Sequence, residues 1–348
     1  MRVAMDVTSA LVPKPAGVAR VVERWWRALE AADDLQVTAW RKWRRSAVTP
    51  AGRNVRIWLP LLSRLGRRFD VAFMPDTRIL PLPARRLVCT VHDLFALEDE
   101  RFAPERFRRR KAAAYRRIAA AADLVVVPSQ TTATALVEKT RIDSERVRVV
   151  PLGFDPDVFS PGEPESEVLR ALGVRPPYLL CVGTLCFRKN QEAAVEVFER
   201  VERRAGPGLS LVLAGKTGWG GRAVVERVGR SPLRDRIILT GHVGDRTLAA
   251  LYRGAALLLH LSRSEGFGLP VIEALACGCP VIATPTGAVA ETTACEATIV
   301  SSTEEAAEAT LQLLARATGD DRRARARRVA DITWEASGRA LRAVLRRL

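Results

Sequence analysis

The sequence predicts an α/β fold built as two doubly wound, Rossmann-like domains facing an interdomain cleft, and three observations carry that prediction. Short apolar runs of strand length alternate with helix-length amphipathic segments along the whole chain, the pattern of β-α units whose parallel sheets are covered on both faces. The series pauses once, at DPDVFSPGEPESEVLRALGVRPP, which is rich in Pro and acidic residues. At 348 residues the chain is too long for one ordinary core; it fits two domains of about 150 to 170 residues each.

In order, RVAMDV, LQVTAW, DVAFMP, RLVCTVHD, DLVVVPS and RVRVVPL supply strands for a first domain, residues 1–160. YLLCVG, LSLVLAG, RIILTG, ALLLHLS and PVIAT supply those of a second, residues 161–333. The Pro-rich pause reads as an interdomain linker carrying one short helix. DDRRARARRVADITWEASGRALRAVLRRL holds two helical segments whose basic bias reads as a solvated face, the last, about 334–348, closing the chain. Open α/β sheets bind ligands beyond the carboxyl ends of their strands, so the chemistry is expected on strand-end loops.

Composition narrows the function. No apolar run approaches the roughly 20 residues of a membrane span, and the N-terminus alternates like a strand instead of forming an export signal, so the expected location is cytoplasmic. Cys89, Cys181, Cys186, Cys277, Cys279 and Cys295 form no C-x-x-C pair and read as buried thiols. Three histidines with no His/Cys cluster offer little for a metal site, so neither metal nor cofactor is expected. The net charge of +16, concentrated in the first half, attracts polyanions or an anionic membrane surface. Three motifs are decoys: Gly215-Lys216-Thr217 has Ser210 where a triphosphate loop needs its first glycine, no G-x-G-x-x-G follows a strand, and Asp155-Pro156-Asp157 lies in the linker.

The informative stretch is SEGFGLPVIEALACGCPVIAT, residues 264–284, where Glu265 and Glu273 bracket a Gly-Phe-Gly-Leu-Pro turn. Pro270 opens a helix where a missing N–H costs nothing, and Gly266 and Gly268 allow close backbone approach to a ligand at the anion-binding helix N-terminus. Taken singly, Glu265 reads as a strand-end surface charge and Glu273 as a first-turn glutamate favouring the helix dipole.

The whole string, Glu-Gly-Phe-Gly-Leu-Pro-x-x-Glu-Ala followed by Cys-Gly-x-Pro-Val, resembles the donor-site signature of family 4 retaining glycosyltransferases. DVTSALVPKPAGVARVVERWW, TVHDL, VVPLGFDPDVFSP, CVGTLCFRKNQEAAVEVF, TGHVGDRTLAALYRGA and ITWEASGRALRAVL resemble further segments of that family in one order. The resemblance implies a GT-B fold whose second domain holds most of a nucleotide-sugar. It implies that Glu273 reads the ribose and Glu265 the donor sugar, with the N–H groups of Gly266, Phe267, Gly268 and Leu269 facing sugar and diphosphate. Arg188 and Lys189 match the pair that neutralises the diphosphate, Gly17 the glycine loop near it, and His92 an active-site histidine of the first domain. Thr184 follows Gly183, the glycine that begins the phosphate loop, where many relatives carry an arginine, and Gly17-Val18-Ala19-Arg20 lacks the usual second glycine.

The implied reaction is metal-independent hexosyl transfer from a nucleoside-diphosphate sugar, GDP-mannose or a UDP-sugar, to a hydroxyl of a glycan, lipid-linked or small-molecule acceptor. A nucleotide-sugar 2-epimerase on the same fold and a basic nucleic-acid-binding protein are the alternatives. Residues 40–69, with Trp40, Trp43 and Trp58 among arginines, read either as a peripheral contact with the anionic inner leaflet or as a loop and helix with tryptophans packed inward.

Overall fold

The computed structural model describes residues 1–11, 17–42, 54–58, 68–206, 208–287, 289–292, 296–315 and 322–348. They form two compact units: Met1–Leu94 with Arg106–Gly153 and Thr333–Leu348, and Phe95–Glu105 with Phe154–Ile332. Residues 95–105, which the sequence reading places in the first domain, belong to the second unit.

The first unit holds a parallel sheet of β1 (Arg2–Asp6), β2 (Gln36–Lys42), β3 (Val55–Trp58), β4 (Phe69–Met74), β5 (Ala84–Thr90), β6 (Leu124–Val127) and β7 (Val147–Val149) in the order β3-β2-β1-β4-β5-β6-β7. Helices α1 (Val18–Glu30), α2 (Glu105–Ala121) and α3 (Gln130–Thr140) connect its strands. Every residue of β6 is buried, because helices cover both faces and the strand therefore reads as an unbroken apolar run. The strand order reverses between β1 and β4, which makes their carboxyl ends the expected ligand position of this unit.

The second unit repeats the plan with β8 (Tyr178–Val182), β9 (Ser210–Ala214), β10 (Ile237–Gly241), β11 (Leu257–His260), β12 (Val281–Ala283) and β13 (Ala297–Ile299) in the order β10-β9-β8-β11-β12-β13. Its helices are α4 (Ser166–Ala171), α5 (Gln191–Ala205), α6 (Gly221–Gly229), α7 (Asp245–Gly254), α8 (Leu269–Ala276), α9 (Val289–Thr292), α10 (Thr303–Ala315) and α11 (Arg322–Arg328). Here the reversal falls between β8 and β11.

The last helix, α12 (Trp334–Arg346), packs on α1 within the first unit. Gly338 permits the approach, since a Cβ there would come within 2.5 Å of the Ala28 Cβ. Ser337 Oγ accepts from Trp25 Nε1 (2.9 Å), both out of water, and donates to the carbonyl of the exposed Pro151 (2.6 Å). Ser337→Ala leaves the buried Trp25 N–H without a bond, so it is expected to cost about 1–3 kcal/mol. A denaturant midpoint equal to that of the wild type would show that the hydroxyl contributes nothing.

Three sequence expectations change. Two arginines of α11, a helix read as a solvated face, serve as caps: Arg322 donates to Arg253 O (2.9 Å) and Ala255 O (3.1 Å) at the end of α7, and Arg325 to Gly278 O (2.9 Å) beyond α8, while Arg323, Arg327 and Arg328 are exposed as expected. The Pro-rich stretch is not a free linker in its first half. Arg253 donates to Ser160 O (2.9 Å) and Val158 O (3.1 Å), and Phe159 is buried with its ring edge-on to Tyr252. Residues 40–69, read either as an anionic-surface segment or as a loop and helix, supply the end of β2 and all of β3; residues 43–53 and 59–67 lie outside the described residues. Trp40 is buried against Phe69 and the Arg56 guanidinium, while Trp43, Arg44, Arg45 and Arg53 lie outside the described residues.

Cys89, Cys181, Cys186, Cys277 and Cys279 are free and buried; Cys295 lies outside the described residues. Burial pushes the thiols of Cys89, Cys181 and Cys277 up to about 12. No helix among the described residues is long and apolar enough to cross a membrane.

Candidate active site

At the reversal point of the second sheet, the loop after β8 and the end of β11 with its loop bring together four side chains from two sequence-distant segments. Lys189 Nζ donates to Glu265 Oε1, Arg188 Nη1 donates to Glu265 Oε2 (3.2 Å) and to Ser264 O (2.6 Å), and His260 Nε2 lies 3.4 Å from Glu265 Oε1. The backbone ties the loops as well, through Arg263 N to Arg188 O (2.8 Å). Sequence reasoning missed His260; its signal was a lone polar residue ending the otherwise apolar strand LLLH.

The loop after β8 has little freedom. Gly183 lies beneath the Lys189 stem, where a Cβ would stand 3.2 Å from Cε, and its φ of 138° also calls for glycine. Gln191, only 1% exposed, accepts from Cys186 N (3.2 Å) and donates to Thr184 O (3.0 Å), which staples the loop to the start of α5. The Thr184 methyl faces Gly218, where a Cβ would approach it to 2.4 Å. The decoy Gly215-Lys216-Thr217 is explained here: Lys216 O accepts from Leu185 N (2.9 Å), so the segment braces the neighbouring loop.

Helix α8 starts at Leu269 with Gly268 in the left-handed region (φ 91°), Pro270 in its first turn and no side-chain cap. Its N-terminus, behind Gly266 and Phe267, thus offers its positive end to an anion. Glu273 stands in the second turn, beyond the reach of a simple dipole role, and is 2% exposed with Tyr252 donating to its Oε2 at 3.3 Å. Gly287 completes the surround: a Cβ there would lie 2.0 Å from Glu265 O, so only glycine (φ 57°) lets this loop rest on the Glu265 backbone.

Burial works against the Glu265 carboxylate, yet the Lys189 and Arg188 charges and His260 hold its pKa well below the usual range. Burial dominates at His260 and lowers its pKa, so at neutral pH the cluster is two cations, one anion and a neutral imidazole. A polar cavity of about 400 Å³ lined by Asn190, Arg227, Leu261, Arg263, Thr284 and Ser302 also opens in this unit, but Arg188, Lys189 and Glu265 do not line it. Among the described residues no group of three or more His, Cys, Asp or Glu could hold a metal ion.

The first unit carries its own polar group at its reversal point. Arg78 lies 3.5 Å from both Asp6 and Asp76, and Ser9 Oγ donates to Asp76 Oδ2 (2.6 Å). Burial raises the pKa of Asp6, only partly offset by Arg78 and Thr8; at Asp76 burial is outweighed by Ser9 and Lys111, so its pKa falls. The sequence reading singled out none of these, although each acid follows or ends an apolar strand. His92 is 9% exposed and stacks on Trp25, with Nε2 2.8 Å from Pro75 O. A carbonyl can only accept, so Nε2 carries the proton, and the buried Nδ1 has no hydrogen-bond partner among the described residues. Gly17 caps α1 at φ 51°, ψ −111°, a glycine conformation, and a Cβ there would meet open space.

His92 and His260 set a pH dependence. Burial lowers both folded-state pKa values, whereas the unfolded value is about 6.5, so below that pH the unfolded chain binds protons that the folded chain does not. Stability is therefore expected to be level above about pH 7.5 and to fall as pH drops through about 6.5. Urea midpoints at pH 7.5 and 5.5 check this: His260→Gln should lose less over that interval than the wild type, and an equal loss would contradict it.

Residues 168–330 match the family model described as glycosyl transferases group 1, and residues 21–158 match that of glycosyltransferase family 4. A D-inositol 3-phosphate glycosyltransferase of Xylanimonas cellulosilytica is 30% identical over 215 residues, 58% of this chain and 50% of the relative. O-antigen chain mannosyltransferase B of Escherichia coli is 26% identical over 205 residues, 58% of this chain and 54% of the relative. The chain thus spans about half the length of the curated relatives it matches. Among solved structures, Anabaena Alr3699/HepE in complex with UDP and glucose has a TM-score of 0.77 at 18% identity, covering 100% of both chains. Sucrose-phosphate synthase from Thermosynechococcus elongatus has 0.76 at 21%, covering 99% and 98%. At such identities the likeness shows the fold, two parallel Rossmann-like sheets of the GT-B class.

Proposed function

Because this chain belongs to the group 1, family 4 type of glycosyltransferases, we propose that it moves a hexosyl group from a nucleoside-diphosphate sugar to an acceptor hydroxyl, with retention at the anomeric carbon. The observation that carries this reading is the Arg188–Glu265–Lys189 cluster on the same strand-end loops as the open N-terminus of α8. In the reaction, the bond from the anomeric carbon to the diphosphate breaks and one to the acceptor oxygen forms on the same face. The acceptor proton passes to the departing phosphate. Arg188, Lys189 and the helix N-terminus meet the growing charge, so no metal or cofactor takes part.

Glu273 is assigned to the ribose, which a buried acceptor-only carboxylate in the second turn suits. Glu273→Ala is expected to weaken UDP or GDP binding by about tenfold or more, the worth of charge-assisted hydrogen bonds. Unchanged affinity by calorimetry would remove the ribose role. The donor is GDP-mannose or a UDP-sugar; mannosyltransferases among the relatives support a mannosyl group, and a structural neighbour in complex with UDP and glucose supports the uridine alternative. The acceptor is a glycan, lipid-linked or small-molecule hydroxyl. The comparisons favour neither an epimerase nor a nucleic-acid-binding protein.

A cytoplasmic site of action, with peripheral contact to an anionic leaflet through residues 40–69, completes the proposal. Exposed Arg56 and Ile57 on the edge strand β3 support it, while buried Trp40 takes no part. The whole reading is tested by calorimetry with UDP and GDP, followed by transfer assays and the anomeric configuration of the product. Binding of neither nucleotide would overturn it, and an inverted product would overturn retention.

A further inference from the structure

Residues 95–105 are flanked in the chain by stretches of the first unit yet belong to the second. Two short 3-10 turns, Phe95–Leu97 and Glu100–Phe102, pack together, and the second packs on the 3-10 turn Phe187–Lys189 that carries the cation pair. The Arg188 guanidinium lies 4.9 Å from the centre of the Phe95 ring. Next to it, the Phe187 ring has the guanidinium of Arg101 and that of Arg263 each at 4.5 Å, and Phe102 at 6.1 Å. Both outer arginines are held in turn: Asp99 accepts from Arg101 Nε (3.0 Å) and Nη2 (2.5 Å), and Asn190 Oδ1 accepts from Arg263 Nη2 (2.7 Å).

A guanidinium over an aromatic face is attracted by the ring quadrupole, and a long cationic side chain held this way gives up the rotamer freedom it would otherwise lose on binding an anion. Given the nucleotide-sugar reading, on which this rests, we propose that residues 95–102 form a strap that pre-orients Arg188 for the donor diphosphate. Phe95 is the positioning residue and acts through Arg188. The Arg101–Phe187–Arg263 stack fixes the turn that presents Arg188 and Lys189. The strap follows His92 by only Asp93 and Leu94, so a segment of the first half of the sequence contributes to the diphosphate site of the second.

The test measures calorimetric dissociation constants of UDP and GDP on the full chain. Phe95→Leu keeps apolar bulk and removes the ring, and it is expected to weaken binding about three- to tenfold. Phe95→Tyr, which keeps the ring, should stay within twofold of the wild type, and Phe95→Leu should have no further effect when added to Arg188→Ala. Three results would each overturn the strap: wild-type affinity in Phe95→Leu, a loss in Phe95→Tyr as large as in Phe95→Leu, or the same loss with and without Arg188. The last would mark Phe95 as ordinary packing. If the wild type binds neither nucleotide, the nucleotide-sugar reading falls and the strap with it. If binding depends on Glu273 and Lys189 but not on Phe95, the strap alone falls.

Discussion

Lys189→Ala is expected to lower kcat/KM for sugar transfer by about 10²–10³-fold, the cost of removing a pre-oriented charge from a site where charge develops. The lysine is laid along Gly183 with its side chain 11% exposed, so its ammonium acts where water screens little. Its side chain is already fixed before any ligand arrives, which keeps the entropy of ordering it out of the reaction step. Most of the loss should appear in kcat, because the diphosphate carries more charge as the sugar leaves than before. Steady-state rates with the preferred donor check this. A loss confined to KM would mean that Lys189 binds the ground state and the departing diphosphate equally, and a loss under fivefold would remove it from the reaction.

Glu265→Gln is expected to reduce transfer by about 10²-fold while the affinity for free UDP or GDP is kept or rises. The carboxylate now ties down Arg188 and Lys189. Its neutral replacement frees both cations for phosphate but loses the group that aligns them and, on the family resemblance, reads the sugar. The same variant tests the electrostatics of folding. Because the folded-state pKa of Glu265 is held well below its unfolded value of about 4.3, its stabilisation is fully present at neutral pH. It is lost as pH falls from about 4.3 toward the folded value. The thermal midpoint of Glu265→Gln should therefore lie below that of the wild type at pH 7, with the gap narrowing below about pH 4.3. Loss of free-diphosphate affinity in parallel with transfer would show that Glu265 holds the site together without reading the sugar.

What the sequence determined by itself is local. Central strands such as Leu124–Val127 and Leu257–Leu259 are legible as unbroken apolar runs because helices bury both their faces. The opening of α8 is legible because Gly268 and Pro270 answer to backbone conformation at a helix start, and the acids around it are two ends of one motif. The edge strands Val55–Trp58 and Ala297–Ile299 escaped, being short and half exposed, without an apolar run to reveal them. Tertiary structure decided which side chains meet. Lys189 and Glu265 are 76 residues apart, and His260 reaches the same carboxylate only because β11 lies beside β8 in the sheet. The same holds for Arg322 and Arg325 of α11, which belong to a basic run that looks like a solvated face until the carbonyl end of α7 and the residues beyond α8 stand opposite them. Segment 95–105 shows it most plainly, since its place in the chain assigns it to one domain and its rings and arginines pack into the other. Periodicity, turn chemistry and helix termini depend on neighbours within a few residues, so a sequence displays them. Strand order and through-space pairing depend on contacts closed across long loops, and nothing in a local pattern encodes those.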